Sequence, residues 1–360
     1  MSSLNSKFKS ILAPVLSVIF GLLLGAVLMI CFGLDAIKGY SALIQGSVGS
    51  PFYIGETLRQ SAPLIVIALG FAVASSAGFF NIGLSGQAVC GWLASVVVAD
   101  ALGSLPKVIV LPIAILAGMT AGALWAGIAG ALKAFFNTSE VIVTIMLNHT
   151  AFYASNYIVR NVLTDSRDAT DAISQNASLR VDWLSNAFEF STIHMGIIIS
   201  LVTAILLHYL MNRTTLGFEI KAVGLNKYAA DYAGISSKRI IIVSMLISGA
   251  LAGLGGVMEG LGTFQNIFVF GSLPTVGFDG LAVSLLGQGN ALGIIFSGLL
   301  FAMLRIGGNS MPLMARVPNE VVDIVIASII FFIGINYVIK LLVNMKKNKQ
   351  VKNSLNKEVE

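Results

Sequence analysis

Runs of about twenty apolar residues recur from one end of this chain to the other, and few of them contain a charge. A helix needs roughly 20 such residues to cross a bilayer core of about 30 Å. That rule places helices at 11–33, 59–79, 84–104, 108–132, 139–160, 192–211, 239–262, 273–287, 290–308 and 320–343. Composition agrees: 56% of residues are apolar and 11% charged, against about 25% charged in soluble domains. So few charges cannot cover the surface of a soluble protein of this size. A disordered chain, a disulfide scaffold and a nucleic-acid binder are excluded on the same grounds. The predicted fold is all-α, a polytopic membrane bundle of about ten transmembrane helices. The segments 59–79 and 273–287 are short or interrupted by Gly and Pro, so they read as spans or as re-entrant pieces.

The net charge is +5, and its placement carries the information. Lysines gather at both ends, at Lys7 and Lys9 and from Lys346 to Lys357, and again in 212–239. An even number of spans puts both termini on one side, and the excess of Lys and Arg marks that side as cytoplasmic. In this topology 14 basic residues are cytoplasmic and 8 external. The run from Ile11 to Gly33 is too long for a signal-peptide core and lacks a small-residue cleavage site, so it reads as a retained first span. Cys31 and Cys90 both sit in apolar runs, which argues against a disulfide.

Two polar segments interrupt the spans. Residues 161–191 lie outside in this topology, as a small folded cap, a docking surface or a solvated connector. Residues 212–239 lie in the cytoplasm. From Lys346 the tail is lysine-rich without apolar periodicity, consistent with a disordered segment at the anionic inner leaflet. Glycines four apart recur at Gly21/Gly25, Gly118/Gly122, Gly249/Gly253 and Gly256/Gly260. Small residues at this spacing let helix backbones approach closely in lipid, and ordinary packing explains them.

Catalytic chemistry has little to stand on. No G-x-x-x-x-G-K-[ST] phosphate loop, H-E-x-x-H pair or G-x-S-x-G elbow occurs, and His149, His194 and His208 are scattered. No metal or cofactor is expected. Acidic residues inside spans are costly and mark a pathway or a pair; here they are Glu259 and Asp279, too few for a proton or ion relay. Driving energy is therefore expected from another subunit.

Two glycine-interrupted apolar stretches occupy opposite halves of the chain: Gly78-Phe-Phe-Asn-Ile-Gly-Leu-Ser-Gly-Gln87 and Val276-Gly-Phe-Asp-Gly-Leu-Ala-Val-Ser-Leu-Leu-Gly-Gln-Gly-Asn290. Matched breaks in two halves point to a translocation path. Unwound backbone at membrane depth needs polar partners. Phe80, Asn81, Gln87, Phe278, Asp279, Gln288 and Asn290 are the candidate path residues, either touching cargo or holding the breaks together.

Phe80–Gln87, Gly217-Phe-Glu-Ile-Lys-Ala-Val-Gly-Leu-Asn226 and Gly277–Gly287 resemble the signature stretches of bacterial ABC importer permeases. The group is the branched-chain amino acid and simple sugar permease superfamily, and within it the nucleoside permeases that work with basic-membrane-lipoprotein binding proteins. The resemblance runs from about residue 10 to 343. Ser85 departs from it, since many relatives carry Glu there. Such permeases dock on their ATPase through a loop helix with an E-A-A-x-x-x-G pattern, which Tyr228-Ala-Ala-Asp-Tyr-Ala-Gly234 matches with Tyr in place of Glu. Asn226, Tyr228, Ala229, Ala230, Asp231 and Gly234 are the candidate coupling residues; a plain cytoplasmic connector is the alternative.

The resemblance implies a permease domain over 1–345, a second related permease subunit, a separate ATPase, a substrate-binding lipoprotein and a place in the bacterial plasma membrane. It implies nucleoside cargo, with simple sugars next; an ATP-independent transporter or channel is the rival class. Phe79, Phe80, Phe264, Phe268 and Phe278 offer faces on which a base can stack.

Overall fold

The computed structural model describes residues 2–328 and 330–332, and the side chains from residue 16 onward. Among them no strand forms. Two isolated bridges, Ala169 to Phe268 and Arg180 to His194, are the only extended pairings. The helices are α1 (Ser2–Cys31), α2 (Ala36–Val48), α3 (Pro51–Ser76), α4 (Leu84–Ala101), α5 (Lys107–Phe136), α6 (Glu140–Ile158), α7 (Asp182–Ala187), α8 (Gly196–Arg213), α9 (Thr215–Leu225), α10 (Lys227–Tyr232), α11 (Ser237–Val257), α12 (Val276–Leu286) and α13 (Ala291–Ala315). Six described helices are long and apolar enough to cross a membrane: α3, α4, α5, α8, α11 with the turn after it, and α13.

Several boundaries differ from the sequence expectation. The stretch 59–79 belongs to a longer helix: α3 begins eight residues earlier, where the Ser50 side chain accepts from Tyr53 N and Pro51 takes the first helical position. The stretch 273–287 yields only the 11-residue α12, too short to cross. It stops at Gln288 and Gly289, both at positive φ (54° and 66°). Helix α2 occupies a region expected to be a loop. Of the expected span 320–343, residues 320–328 and 330–332 are helical; the remainder, and the tail from Lys346, lie outside the described residues.

The chain divides into two compact units, 45–306 and a smaller one built from 1–44 with 307–360. In the smaller unit, Tyr40 OH donates to Leu22 O. A Cβ on Gly25 would meet Tyr40 and Val325, and one on Gly39 would meet Met29 and Met311. In the larger unit α3 is central. Residues 61–74 are buried without interruption, so this helix is apolar all round instead of striped. Helices α5 and α8 are less enclosed, with 22% of the apolar stretch of each buried.

Two of the four glycine pairs read from the sequence, Gly118/Gly122 and Gly249/Gly253, mate with each other. A Cβ on Gly122 would strike Gly249 O, one on Gly249 would strike Gly122 O, and one on Gly253 would strike Gly118 O. Gly91 of α4 closes on Gly253 from the other side, and Gly256 closes on Ala88 O. Helices α4, α5 and α11 thus touch backbone to backbone, as van der Waals packing in lipid requires.

Helices α6 and α11 both run out into a wider π-turn, at Val159–Leu163 and Met258–Thr263. The segment between α6 and α8 folds back over the second of these turns and the loop behind it. Thr170 N donates to Ile267 O (2.9 Å), Ile173 N to Gln265 O (2.8 Å), Leu179 N to Leu261 O (2.9 Å) and Val269 N to Asp168 O (2.8 Å). This segment is a folded cap, not a solvated connector.

Candidate functional site

The first glycine-interrupted stretch places the start of α4 inside the bundle. Leu84 and Ala88 pack with Ile67 and Phe71 of α3, and the N–H groups of a buried helix start need partners. Asn81 supplies one: its Oδ1 accepts from Gly83 N at 2.9 Å. Its Nδ2 donates to Gln87 Oε1 (3.0 Å) and Ser248 Oγ (2.9 Å), and Gln87 Nε2 returns a bond to Asn81 Oδ1 (3.1 Å). Asn148 of α6 supplies the next, accepting from Gly86 N (2.8 Å) while donating to Ile82 O (2.9 Å). Asn81, Gln87, Asn148 and Ser248 are all buried. Asn81, Gln87 and Ser248 bond to one another, and Asn81 and Asn148 bond to the break, so their polar atoms hold unwound backbone in place. Asn148 and Ser248 were not visible in the sequence.

The second stretch meets the first. A Cβ on Gly277 would collide with the backbone and hydroxyl of Ser85, and one on Gly280 with Ile67. Buried Asp279 is paired: Arg305 Nη2 reaches both of its oxygens at 3.0 and 2.9 Å, and Thr275 Oγ1 donates at 3.3 Å. Arg305 is a partner that the sequence reading did not supply. Arg305→Ala is expected to lower stability by about 2 kcal/mol; this is less than for a fully buried pair, because Arg305 keeps 32% of its side chain exposed. Thermal unfolding in detergent checks this, and Asp279→Asn combined with Arg305→Gln is expected to recover most of the loss. At the end of α12, Asn290 Oδ1 accepts from Leu292 N at the start of α13. Gln288 and Asn290 line a cavity of about 200 Å³ with Ser76, His208, Asn212 and Lys221.

A larger cavity, about 650 Å³, opens at the other end of α3, between Arg59, Gln60, Thr192, Glu259 and an aromatic wall. Trp92 stacks on Phe264 with ring centres 5.1 Å apart and 20° between planes, and the edges of Phe268 and Phe270 meet Trp92. Trp92 is fixed by donating Nε1–H to Asn266 O at 2.8 Å. Arg59 is held by Glu56 (2.9 Å) and Thr263 (3.3 Å), and Glu56 in turn accepts from the backbone and hydroxyl of Thr192 at 2.7 Å each. Of the five phenylalanines proposed as stacking faces, only Phe264 and Phe268 converge here. Phe79 is buried, Phe80 packs edge-on against Phe71, and Phe278 is exposed on α12. Trp92, the centre of the wall, carried no signal in the sequence.

The coupling candidates form one compact device. Asn226 caps α10, its Oδ1 accepting from Tyr228 N (3.0 Å) and Ala229 N (3.1 Å). Gly234 ends it at φ +86°, with Gly234 N bonded to Asp231 O and Ile235 N to Ala230 O, the paired bonds of a Schellman stop. Asp231 ties the stop to α11 by accepting from Ser237 N and Ser237 Oγ, both at 2.8 Å. Those hydrogen bonds, with Lys227 and Lys238 nearby, hold its carboxyl below the usual range. Ala230 faces inward, while Ala229 is exposed and Tyr228 and Tyr232 stand out at 74% and 97%. Helix α9 connects this device to the first break. A Cβ on its Gly224 would run into Ser76 O, and Gly78, at φ +83°, lies against the Gly224 backbone.

An all-helical membrane chain with two interlocked helix breaks and a capped, exposed loop helix has the organisation of a transporter's membrane subunit. Residues 53–334 match the family described as branched-chain amino acid transport system, permease component, and the chain belongs to that family. It is 46% identical to the guanosine ABC transporter permease protein NupP of Bacillus subtilis, over 95% of this chain and 98% of that one. It is 43% identical to the nucleoside ABC transporter permease protein NupB of Lactococcus lactis, over 98% and 97%. A glucose ABC transporter permease protein of Haloferax volcanii is 33% identical over 89% and 86%. The same Bacillus has a second guanosine permease protein, NupQ, 28% identical over 74% of this chain and 85% of its own length. Permease proteins related to this chain therefore occur in pairs.

Proposed function

We propose that this chain is the permease subunit of an ATP-driven nucleoside importer in the bacterial plasma membrane. The likeness to two nucleoside permeases over nearly the full length of each supports the cargo. The mechanical part is supported by one observation above the rest: the exposed α10 sits on a closed loop whose neighbour α9 touches the first helix break backbone to backbone. With the basic segment 212–239 and both lysine-rich termini in the cytoplasm, an ATPase can seat on Tyr228, Ala229 and Tyr232. The cap then faces outward toward a substrate-binding lipoprotein, and a second related permease completes the pore. ATP closure displaces α10 and α9, the breaks at 78–87 and 276–290 shift together, and the path opens outward; hydrolysis resets it. This chain moves cargo and leaves ATP chemistry to its partner.

Gly234→Val tests the coupling. No atom blocks a side chain at Gly234, but φ +86° is a left-handed conformation that a β-branched residue resists by about 1–2 kcal/mol. Uptake is expected to fall about ten-fold, with the protein still present in the membrane and ATP hydrolysis no longer stimulated by cargo. Normal uptake by this variant would remove the coupling assignment. Competition by unlabelled nucleosides and sugars ranks the cargo, and uptake persisting without the ATPase would favour a secondary transporter.

A further inference from the structure

The aromatic wall of the larger cavity does more than fill space between helices. One face of Phe264 lies on Trp92, yet Phe264 remains 49% exposed, so its other face is a flat platform open to the cavity. Phe268 stands at 71° to it with ring centres 5.3 Å apart, giving the platform a perpendicular side wall. The platform cannot swivel freely, because Trp92 is pinned by Asn266 O and a Cβ on Gly260 would strike the indole. Polar side chains line the same cavity as the rings: the Arg59 guanidinium, the Glu259 carboxyl and the Gln60 amide, which makes no hydrogen bond among the described residues. A volume of about 650 Å³, mostly apolar walls and a few convergent polar groups describe a small-molecule site.

We propose that this cavity is a nucleoside subsite, in which the base stacks on the free face of Phe264 and the sugar hydroxyls meet Gln60, Arg59 and Glu259. The proposal rests on the nucleoside reading above for the choice of ligand, and the rings give the reason for placing the base there. A π-face accepts any base, so the subsite is tolerant of base identity. The polar side chains lining the cavity offer both hydrogen-bond donors and acceptors, which suits a neutral ligand bearing the same. Nothing in the cavity neutralises a dianionic phosphate: Arg59 already answers Glu56.

Trp92 reports on its own site. The chain has three tryptophans, so Trp125→Phe with Trp183→Phe leaves Trp92 as its only one, and subtracting the emission of the same assembly carrying Trp92→Phe isolates the Trp92 signal from that of the partner subunits. In the transporter assembled with its partner permease and ATPase, inosine and uridine are expected to quench this emission saturably, and ribose is expected not to. Phe264→Leu is expected to weaken the quenching about ten-fold, as loss of one stacking face does, while Phe264→Tyr retains it. Equal quenching by ribose, or inosine binding unchanged in Phe264→Leu, overturns the subsite, as does the absence of saturable quenching by nucleosides. Radiolabelled uptake by the wild-type transporter decides the function separately. Nucleoside import with a silent Trp92 removes the subsite alone, and nucleoside quenching without nucleoside import removes the function alone.

Discussion

Gly253→Leu is expected to eliminate extractable, monodisperse protein. Helices α4 and α5 both close on this residue of α11. Its Cβ position is occupied by Gly118 O, Gly122 Cα lies 3.2 Å from it, and Gly91 presses on the Gly253 backbone from α4. Overpacking a core whose side chains can turn aside costs about 1–3 kcal/mol. Here the obstructing atoms are backbone, so relief demands that whole helices part and forfeit the contacts between α5 and α11. The loss should exceed that range well before the side chain is accommodated. Gly253→Ala should already reduce yield, and Gly271→Ala, where nothing lies within 4 Å, should leave it unchanged. Size-exclusion profiles after detergent extraction measure all three, and a normal profile for Gly253→Leu would refute this packing.

Asn81→Leu is expected to be the most damaging single change at the first helix break. It deprives Gly83 N, both ends of the Gln87 amide and Ser248 Oγ of their partner at once. Each buried polar group left without a hydrogen bond costs about 1–3 kcal/mol, so with four groups affected a total loss of at least about 4 kcal/mol is expected. Adding Gln87→Leu should restore part of it, because removing both members of a pair leaves fewer orphans than removing one. Melting temperature in detergent gives the ranking: wild type, then the double variant, then Asn81→Leu. Uptake should fall in both variants. A single variant more stable than the double would contradict the network.

The sequence carried what repeats or has fixed spacing. The Gly118/Gly122 and Gly249/Gly253 pairs announced close helix contact, and their spacing alone could not say that they face each other. The two broken stretches stood out because glycine and polar residues are conspicuous in apolar surroundings. Their direct contact, Gly277 on Ser85, is a tertiary fact with no local signature. Asn148, Ser248 and Arg305 are isolated polar residues in apolar helices; each matters through a neighbour 62, 167 or 26 positions away. The apolar run 273–287 read as a span or a re-entrant piece, and hydropathy alone could not choose between them; α12 takes only Val276–Leu286 of it. Helix α2 escaped because it is short and mixes Lys38 and Gly39 with apolar residues. Trp92 was one more large residue in a greasy stretch until Phe264, Phe268 and Phe270 arrived from a distant loop.

The join between Gly224 and the turn at Gly78 has one more consequence. Side chains ordinarily act as cushions between moving helices, since a leucine can change rotamer and absorb a small displacement. At this join the cushion is missing, and main chain bears directly on main chain. A shift of α9 toward α3 therefore has no compliant layer in which to dissipate, and it arrives at the polar knot around Asn81 at nearly full amplitude. The stiffness of the whole linkage is set there by two residues that have no side chains at all.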